Sequence, residues 1–206
     1  MSFRYTRPDT LPPVVKNLLF INGLFFLATE FLFKDIGLKM IFALWPVDSG
    51  NFRPYQLFTH MFTHADIGHI FFNMFNLWMF GRVLESVWGP KRFLIFYFIC
   101  GLGAAAAHLA EQYFTGGGSP AIGASGAVMG VMVGFAYLFP NTELMLIFFP
   151  LPVKAKWLIL IMVGFDLFSG IGKTGDGIAH WAHLGGAAIG FILVYIWNKT
   201  NKKTFY

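Results

Sequence analysis

The chain has 206 residues, of which 56% are hydrophobic and 12% charged, with a formal net charge of +5 at pH 7 and a mean hydropathy of +0.61. Since a soluble domain carries about 25% charged residues, this composition excludes a soluble enzyme and a disordered chain, and it indicates a protein embedded in a bilayer. The single cysteine, Cys100, excludes an intramolecular disulfide scaffold, and the basic residues are too dispersed for a nucleic-acid-binding arm.

Six apolar stretches have the length that crosses a bilayer as a helix. They lie at residues 17–33, 67–84, 93–109, 121–140, 155–171 and 177–198. The fifth differs from the others, because two lysines stand at its start and Asp166 near its end. Two further stretches, residues 36–45 and residues 144–153, are predicted to lie in the membrane interface. The sequence therefore predicts an all-α integral membrane protein, a single domain over residues 1–206 with six transmembrane helices.

The distribution of basic residues predicts the orientation of these helices, because Lys and Arg accumulate in cytoplasmic loops. With the N-terminus inside, 11 of the 15 basic residues fall on the cytoplasmic side and 4 on the outer side. The outer four are Lys34, Lys39, Arg53 and Lys173. Both termini are therefore predicted to be cytoplasmic, and each even-numbered helix runs inward from the outer face.

Polar side chains within membrane helices are costly and therefore point to function. Five of them lie in the outer halves of the even-numbered helices, namely His69, Asn73, Ser125, His180 and His183. Because those helices all run inward, the predicted topology brings these groups to a similar depth below the outer face. Each has a structural reading on its own, as a packing serine or a hydrogen-bonded histidine. Their combination, a nucleophile, a base and two donors at one depth, favours catalysis.

Small residues recur every four positions in helices four and six, which lets two helix backbones approach closely. The residues concerned are Gly126, Gly130, Gly134, Ala182, Gly186 and Gly190. A histidine takes the proton of a serine hydroxyl only within hydrogen-bonding reach, so Ser125 and His183 on separate helices need such close packing. Stripes of this kind more often serve helix packing alone, and that reading stays open.

Three motifs occur in order on the even-numbered helices: His69-x-x-x-Asn73, Gly123-Ala124-Ser125-Gly126 and Ala182-His183-x-x-Gly186. Together with Gly81-x-x-x-Glu85-x-x-x-Gly89 at the inner end of helix two, they resemble the rhomboid family of intramembrane serine proteases. The resemblance covers nearly all of the chain from the first loop to helix six. It implies a six-helix bundle with an interfacial first loop.

Matched position by position, the resemblance implies that Ser125 is the nucleophile and His183 its general base, without a third, acidic member. His69, Asn73 and the backbone amide of Ser125 are then the oxyanion hole. A serine hydroxyl is a poor nucleophile until a neutral histidine accepts its proton, and amide groups at the start of helix four favour negative charge.

His180 lies three residues before His183, but only His183 is followed three residues later by a glycine, as in the family motif. We therefore assign His180 a structural or gating role. A metal site at this pair is disfavoured because a catalytic zinc needs a third ligand, so no metal and no cofactor is predicted. Asp166 and Asp176 lack the motif of an intramembrane aspartyl protease.

The first loop departs from the family at one point. His60 and His64 resemble residues that support this loop in the family, and we expect them to be structural. Tyr55-Gln56 stand where many members carry Trp-Arg. The sequence therefore predicts a different anchor for the loop, through Arg53.

The implied activity is endopeptidase cleavage in or next to the transmembrane helix of another membrane protein. The expected partners are such substrates and membrane lipid, with no nucleic acid, and the expected location is the inner membrane of a bacterial cell with the active site opening to the outside.

One alternative is a catalytically silent relative that binds membrane helices, which loss of the serine or histidine would indicate. A proton transporter is disfavoured because the spans lack paired carboxylates. The oligomeric state is not predicted.

Overall fold

The computed structural model describes residues 11–146, 149–172 and 177–200. Within these ranges the chain is a bundle of helices with one short hairpin. The elements, in chain order, are α1 (Pro13–Leu27), α2 (Leu38–Phe42), α3 (Gln56–Thr59), α4 (Ile67–Asn76), α5 (Arg82–Trp88), α6 (Pro90–Thr115), α7 (Ser125–Leu138), β1 (Glu143–Leu146), β2 (Phe149–Lys154), α8 (Ala155–Gly172) and α9 (His180–Thr200). A π-helical turn, Ala28–Leu32, extends α1, and another, Leu77–Gly81, joins α4 to α5. Short 3₁₀ turns in the first loop cover Lys34–Ile36, Val47–Ser49 and His60–Phe62.

Most of the predicted crossings correspond to helices that suit a bilayer. Four segments of the described chain are long and apolar enough to cross a membrane, namely Pro13–Leu32, Pro90–Thr115, Ala155–Gly172 and His180–Thr200. They coincide with the first, third, fifth and sixth predicted crossings. The second corresponds to the continuous helix of α4, the π turn and α5, and the fourth to α7, which has 14 residues. The all-α membrane fold predicted from the sequence is therefore confirmed.

The fourth helix begins later than predicted. The apolar stretch from Ala121 was expected to be helical, but α7 begins at Ser125. Ala121 instead lies in an extended segment and exchanges two backbone hydrogen bonds with Leu44 of the first loop, at 2.8 and 2.9 Å. Gly123 follows with a φ of +119°, which a residue with a Cβ rarely adopts. This turn ends the extended segment and makes Ser125 the first residue of the helix.

Of the stretch 144–153, predicted to lie in the interface, residues 144–146 and 149–153 belong to two paired antiparallel strands. Strand β1 pairs with β2 in a register that places Glu143 opposite Lys154 and Leu144 opposite Val153. The prolines of this stretch favour extended backbone and cannot continue a helix, which is why it separates α7 from α8. The pairing itself was not predicted, because nothing in the residue pattern sets its register.

Helix α7 is the centre of the bundle. It packs against α4, α5, α6, α8 and α9, and ten of its 14 residues are buried. Since protein surrounds it on most sides, the irregular backbone that precedes it at Ala121, Gly123 and Ala124 is buried in protein rather than in hydrocarbon, which membrane structures tolerate. A short central helix can therefore present its first residue, Ser125, inside the bundle.

Glycines bring α7 and α9 into backbone contact. A Cβ atom added at Gly186 would overlap the carbonyl oxygen of Gly126, and one added at Gly190 would lie 2.7 Å from the Cα of Gly130. Real Cβ atoms do not approach their neighbours so closely. The two helices therefore reach this separation only because both carry glycine at the contact points.

A buried carboxylate ties α1 to α5. Glu85 accepts hydrogen bonds from the backbone amides of Val14 and Val15, at 2.9 and 2.8 Å, and is 2% exposed. The first amides of a helix have no partner within that helix, and negative charge is favoured at this end. Glu85 therefore caps α1 and gives the Gly81-x-x-x-Glu85 part of the motif a structural role.

We expect Gly186→Ala to destabilise the protein by about 1–3 kcal/mol, because the added methyl group meets the backbone of α7. Gly164→Ala is the matched control, since nothing lies within 4 Å of a Cβ at Gly164 of α8 and alanine is favoured over glycine in a helix by about 0.5–1 kcal/mol. Thermal unfolding in detergent is the measurement. A lower Tm is expected for Gly186→Ala alone, and equal effects of the two substitutions would contradict the importance of the α7–α9 contact.

Candidate active site

Ser125 and His183 lie within hydrogen-bonding distance of each other. Ser125 is the first residue of α7, and His183 is in the first turn of α9. The Oγ atom of Ser125 is 2.8 Å from Nε2 of His183. With this nitrogen unprotonated, the hydroxyl donates to it, which is the arrangement in which a histidine can take the serine proton. The structure thus brings together the two residues to which the motifs give the chemistry.

The segment before Ser125 is held by the first loop. The amide of Gly123 donates a hydrogen bond to the carbonyl oxygen of His60, at 2.9 Å, in addition to the pairing of Ala121 with Leu44. These backbone bonds fix the turn that precedes α7. They therefore also fix the position of the serine at its start.

His69 presents a ring N–H beside this turn. Its Nδ1 accepts a hydrogen bond from the backbone amide of Ala65, at 3.3 Å, so the proton of the neutral ring is on Nε2. A Cβ built on Gly123 would lie 2.7 Å from this Nε2 and 3.6 Å from Oγ of Ser125. Nε2 of His69 therefore lies within about 6.3 Å of Oγ of Ser125, and the glycine leaves room for the ring. Asp66 caps α4 by accepting a hydrogen bond from the amide of His69, at 2.9 Å.

Asn73 lies one helical turn beyond His69. It is buried, and its Nδ2 donates a hydrogen bond to the carbonyl oxygen of His69, at 2.9 Å. The amide group has a second N–H, which this bond does not use. Among the described residues Asn73 makes no hydrogen bond to Ser125 or His183. The structure therefore places Asn73 next to His69 without linking it directly to the serine and histidine.

A third group, which the motifs did not predict, touches His183. Oδ1 of Asp166 on α8 is 3.0 Å from Nδ1 of His183 and 2.7 Å from Nδ1 of His180. Only 8% of the Asp166 side chain and 17% of the His183 side chain are exposed. Ser125, His183 and Asp166 therefore form a continuous hydrogen-bonded series across three helices. The resemblance did not imply an acidic residue beside His183, and the structure places one there.

The sequence did contain a signal for Asp166. The fifth predicted helix runs outward, so a residue near its end lies at the same depth as residues near the start of the even-numbered helices. A carboxylate at that depth in an apolar helix needs a partner, and His180 and His183 are at the same depth. The predicted site included residues of the even-numbered helices only and therefore did not contain Asp166.

Asp166, His180 and His183 also supply three potential metal ligands, whose ligand atoms lie within 4.8 Å of one another. Two ligands of a tetrahedral zinc ion, each at about 2.0 Å, are about 3.3 Å apart. The nitrogen–oxygen distances here are 2.7 and 3.0 Å. These distances fit direct hydrogen bonds from the two rings to the carboxylate.

Gln56 organises the first loop. Its side-chain oxygen accepts hydrogen bonds from the amides of Trp45 and Arg53, at 3.4 and 3.1 Å, and its side-chain nitrogen donates to the carbonyl oxygens of Ile41 and Asn51, both at 3.1 Å. Within the described part of the chain, the guanidinium of Arg53 donates only to the neighbouring carbonyl oxygens of Gly50 and Phe52. The prediction that Arg53 anchors the loop was therefore wrong. A guanidinium has donors only, whereas the amide of Gln56 satisfies backbone donors and acceptors together.

The two histidines of the first loop are buried and neutral. Burial lowers the pKa of His60 to about 4 and the pKa of His64 to about 3. Nδ1 of His60 is hydrogen-bonded to the carbonyl oxygen of Gln56, at 2.7 Å. The ring of His64 packs edge-on against that of His69, with centroids 5.0 Å apart. Both positions fit the loop-supporting role expected of them.

The apolar helices define an integral membrane protein. The serine and histidine at the starts of α7 and α9 form a candidate active site of the serine type. A protein-family model described as the Rhomboid domain matches residues 51–200 of the chain. The chain therefore belongs to the rhomboid family.

Individual relatives match about two thirds to three quarters of the chain. It is 34% identical over 167 residues to RHOMBOID-like protein 12, mitochondrial, of Arabidopsis thaliana, a match that covers 74% of this chain and 48% of that protein. It is 31% identical over 147 residues to Rhomboid protein 1, mitochondrial, of Saccharomyces cerevisiae, covering 69% and 41%. It is 28% identical over 138 residues to Rhomboid protease GluP of Bacillus subtilis, covering 66% and 25%. The chain thus spans less than half the length of these relatives.

We expect the free energy of unfolding to fall as the pH drops below about 6.5, because a histidine in the unfolded chain binds a proton near that pH. In the folded protein His64 stays neutral down to a pKa of about 3. One such histidine contributes a slope of about 1.4 kcal/mol per pH unit. Between about pH 4 and 6, His64→Phe should remove the contribution of this one histidine to the pH dependence of the free energy of unfolding. Denaturant unfolding in mixed micelles is the measurement. An unchanged pH dependence in the folded variant would contradict a neutral, buried His64.

Proposed function

We propose that the chain is an intramembrane serine endopeptidase that cleaves peptide bonds in or next to the transmembrane helix of other membrane proteins. The observation that carries this proposal is the 2.8 Å distance between Oγ of Ser125 and Nε2 of His183, at the starts of two closely packed helices. Membership of the rhomboid family supports it, and one relative, GluP, is named a rhomboid protease.

The reaction has two halves, formation of an ester on Ser125 and its hydrolysis, and His183 accepts and then donates a proton in each. His183 takes the hydroxyl proton while Oγ of Ser125 bonds to the carbonyl carbon of the substrate, whose oxygen becomes an oxyanion. When the carbon–nitrogen bond breaks, His183 gives its proton to the leaving amine and an ester remains on Ser125. A water molecule then loses a proton to His183 and attacks the ester carbon. The ester bond breaks, the serine regains its proton from His183, and the new carboxyl group leaves.

Three donors are proposed to bind the oxyanion: the backbone amide of Ser125, Nε2 of His69 and Nδ2 of Asn73. The hydrogen bond from Ala65 to Nδ1 of His69 leaves the ring proton on Nε2. The Ser125 amide is at the start of α7, where helix amides are unpaired and attract negative charge. Such donors act on charge that develops in the transition state, so they raise kcat more than they lower KM.

Substrate helices are proposed to approach from the lipid beside α8. This helix packs against α7 and α9 on one side, and its other side exposes Trp157, Phe165 and Phe168. The carbonyl groups of a substrate helix are hydrogen-bonded within that helix, so the helix must unwind locally before attack. Helix-destabilising residues just beyond the cleavage site favour this step, and small residues at the cleavage site itself are expected from the family resemblance.

Hydrolysis also needs water at a site between apolar helices. A cavity of about 340 Å³ lies between α6 and the start of α9, and its lining includes His108, Glu111, Gln112 and His180. Polar groups of this kind hold water molecules in buried spaces. We propose that this cavity supplies the water that releases the ester.

The chain is a membrane protein, and its orientation is part of the proposal. The 11-to-4 distribution of basic residues favours cytoplasmic termini and a site that opens to the outer face. The relatives include mitochondrial proteins of a plant and a yeast as well as one bacterial protein. They give no preference to the inner membrane of a bacterium, so that location stays a prediction from the sequence.

Ser125→Ala and His183→Ala should each slow the cleavage of a model single-span substrate by more than about 100-fold, because each removes one partner of the proton transfer. A serine-directed fluorophosphonate should label Ser125. The rate of labelling should fall in His183→Ala by a factor similar to the fall in the rate of cleavage. Labelling of a folded His183→Ala variant at the wild-type rate would contradict the proposed chemistry. A wild-type protein that binds the substrate without cleaving it would instead favour a catalytically silent helix-binding protein.

Asn73→Ala should lower kcat by about 100- to 1000-fold if its amide binds the oxyanion. Asn76→Ala is the matched control, because Asn76 lies on the same helix and makes the same type of hydrogen bond, from Nδ2 to the carbonyl oxygen of Phe72 at 2.8 Å. Steady-state cleavage kinetics are the measurement. Similar small effects of both substitutions would remove Asn73 from the oxyanion hole.

A further inference from the structure

We infer that Asp166 is a positioning residue of the proposed active site, whose carboxylate holds His183 in the tautomer and orientation that accept the Ser125 proton. This inference rests on the proposed serine-type chemistry. The contacts that carry it run from Oγ of Ser125 to Nε2 of His183, at 2.8 Å, and from Nδ1 of His183 to Oδ1 of Asp166, at 3.0 Å.

The carboxylate selects the tautomer of His183. A neutral imidazole carries a proton on one nitrogen and a lone pair on the other, and an ionised carboxylate can only accept hydrogen bonds. Asp166 therefore favours the proton on Nδ1, the nitrogen that faces it. Nε2 is then free of a proton where it meets the hydroxyl of Ser125. The opposite tautomer would present an N–H to the serine and could not act as its base.

Because His183 lies at the start of α9, a nearby negative charge is needed to stabilise its protonated ring. The first turn of a helix is the positive end of its dipole, where an imidazolium ion is disfavoured. His183 becomes an imidazolium ion each time it takes a proton from Ser125 or from water. The carboxylate of Asp166 lies next to that charge and is almost entirely buried, so water screens the attraction little.

His180 supports the carboxylate rather than the serine. Its Nδ1 is 2.7 Å from the same Oδ1 of Asp166 that faces His183, and one carboxylate oxygen can accept two hydrogen bonds. Asp166 also lies on the face of α8 that packs into the bundle, with Ala155, Ile159 and Ser169. The carboxylate is therefore held from two sides before any substrate binds.

The same contacts join α8 to α9, so a structural role of Asp166 has to be separated from a positioning role. A structural tether affects folding and the access of large substrates. A positioning residue affects the rate at which a small reagent reacts with Ser125, and it affects the protonation of the His183 ring. The test therefore needs a readout of the ring itself.

Asp166→Asn is the direct test, because asparagine has the same size but can donate a hydrogen bond to Nδ1 and favour the opposite tautomer. We expect fluorophosphonate labelling of Ser125, and kcat for a single-span substrate, to fall at least about 100-fold with KM unchanged. Nitrogen-15 NMR of labelled histidine should find the His183 proton on Nδ1 in the wild type and displaced from Nδ1 in the variant. Ser169→Ala, which alters a buried residue on the same face of α8, is the matched control and should be labelled by the fluorophosphonate at the wild-type rate, since labelling does not use the water cavity that Ser169 lines.

Undiminished labelling of folded Asp166→Asn would overturn the inference, and so would a wild-type His183 with its proton on Nε2. An equal loss in Ser169→Ala would overturn it as well, since any disturbance of α8 would then be enough. If Asp166→Asn does not fold, the ring tautomer of the wild type decides. A wild-type protein that is never labelled at Ser125 would contradict the proposed function, and the NMR result would still test the hydrogen bond between Asp166 and His183.

Discussion

The backbone contact between α7 and α9 sets the distance on which the proposed chemistry depends. Serine and histidine have short side chains, so the two helices must nearly touch for Oγ of Ser125 to come within 2.8 Å of Nε2 of His183. Gly186 and Gly190 allow this, because a methyl group at either position would meet the backbone of α7. A displacement of about 1 Å between reacting groups can reduce a rate about 100-fold. Helix packing and catalysis thus impose the same requirement on these positions.

Polar groups are rare in this bundle, and three of the buried polar side chains are hydrogen-bonded in ways that fix the structure. Glu85 accepts hydrogen bonds from the free amides of α1, Gln56 satisfies backbone groups of the first loop, and Asp166 accepts from two histidines. An unpaired polar group in an apolar medium costs several kcal/mol. Each pairing therefore also fixes a position: Glu85 between α1 and α5, Gln56 in the first loop, and Asp166 beside His183.

The features that the sequence predicted well are local ones. A membrane helix is visible as an apolar stretch, and the start of α9 or the end of α8 shifts by only a few residues between prediction and structure. The missed features depend on contacts between distant segments. Ala121 is extended because it pairs with Leu44, and the anchoring role of Gln56 depends on backbone groups 5 to 15 residues away. Asp166 meets His183 only after α8 and α9 have packed together, and no motif marks that contact.

The proposed chemistry can be tested by a high-resolution structure of the protein in lipid after reaction with a fluorophosphonate. We expect a phosphorus–oxygen bond to Oγ of Ser125, with a phosphoryl oxygen within hydrogen-bonding distance of Nε2 of His69 and of the Ser125 amide. We also expect His183 beside the adduct, with Nδ1 still facing Asp166. An adduct on any other residue, or a phosphoryl oxygen that points away from His69 and the start of α7, would contradict the proposed chemistry.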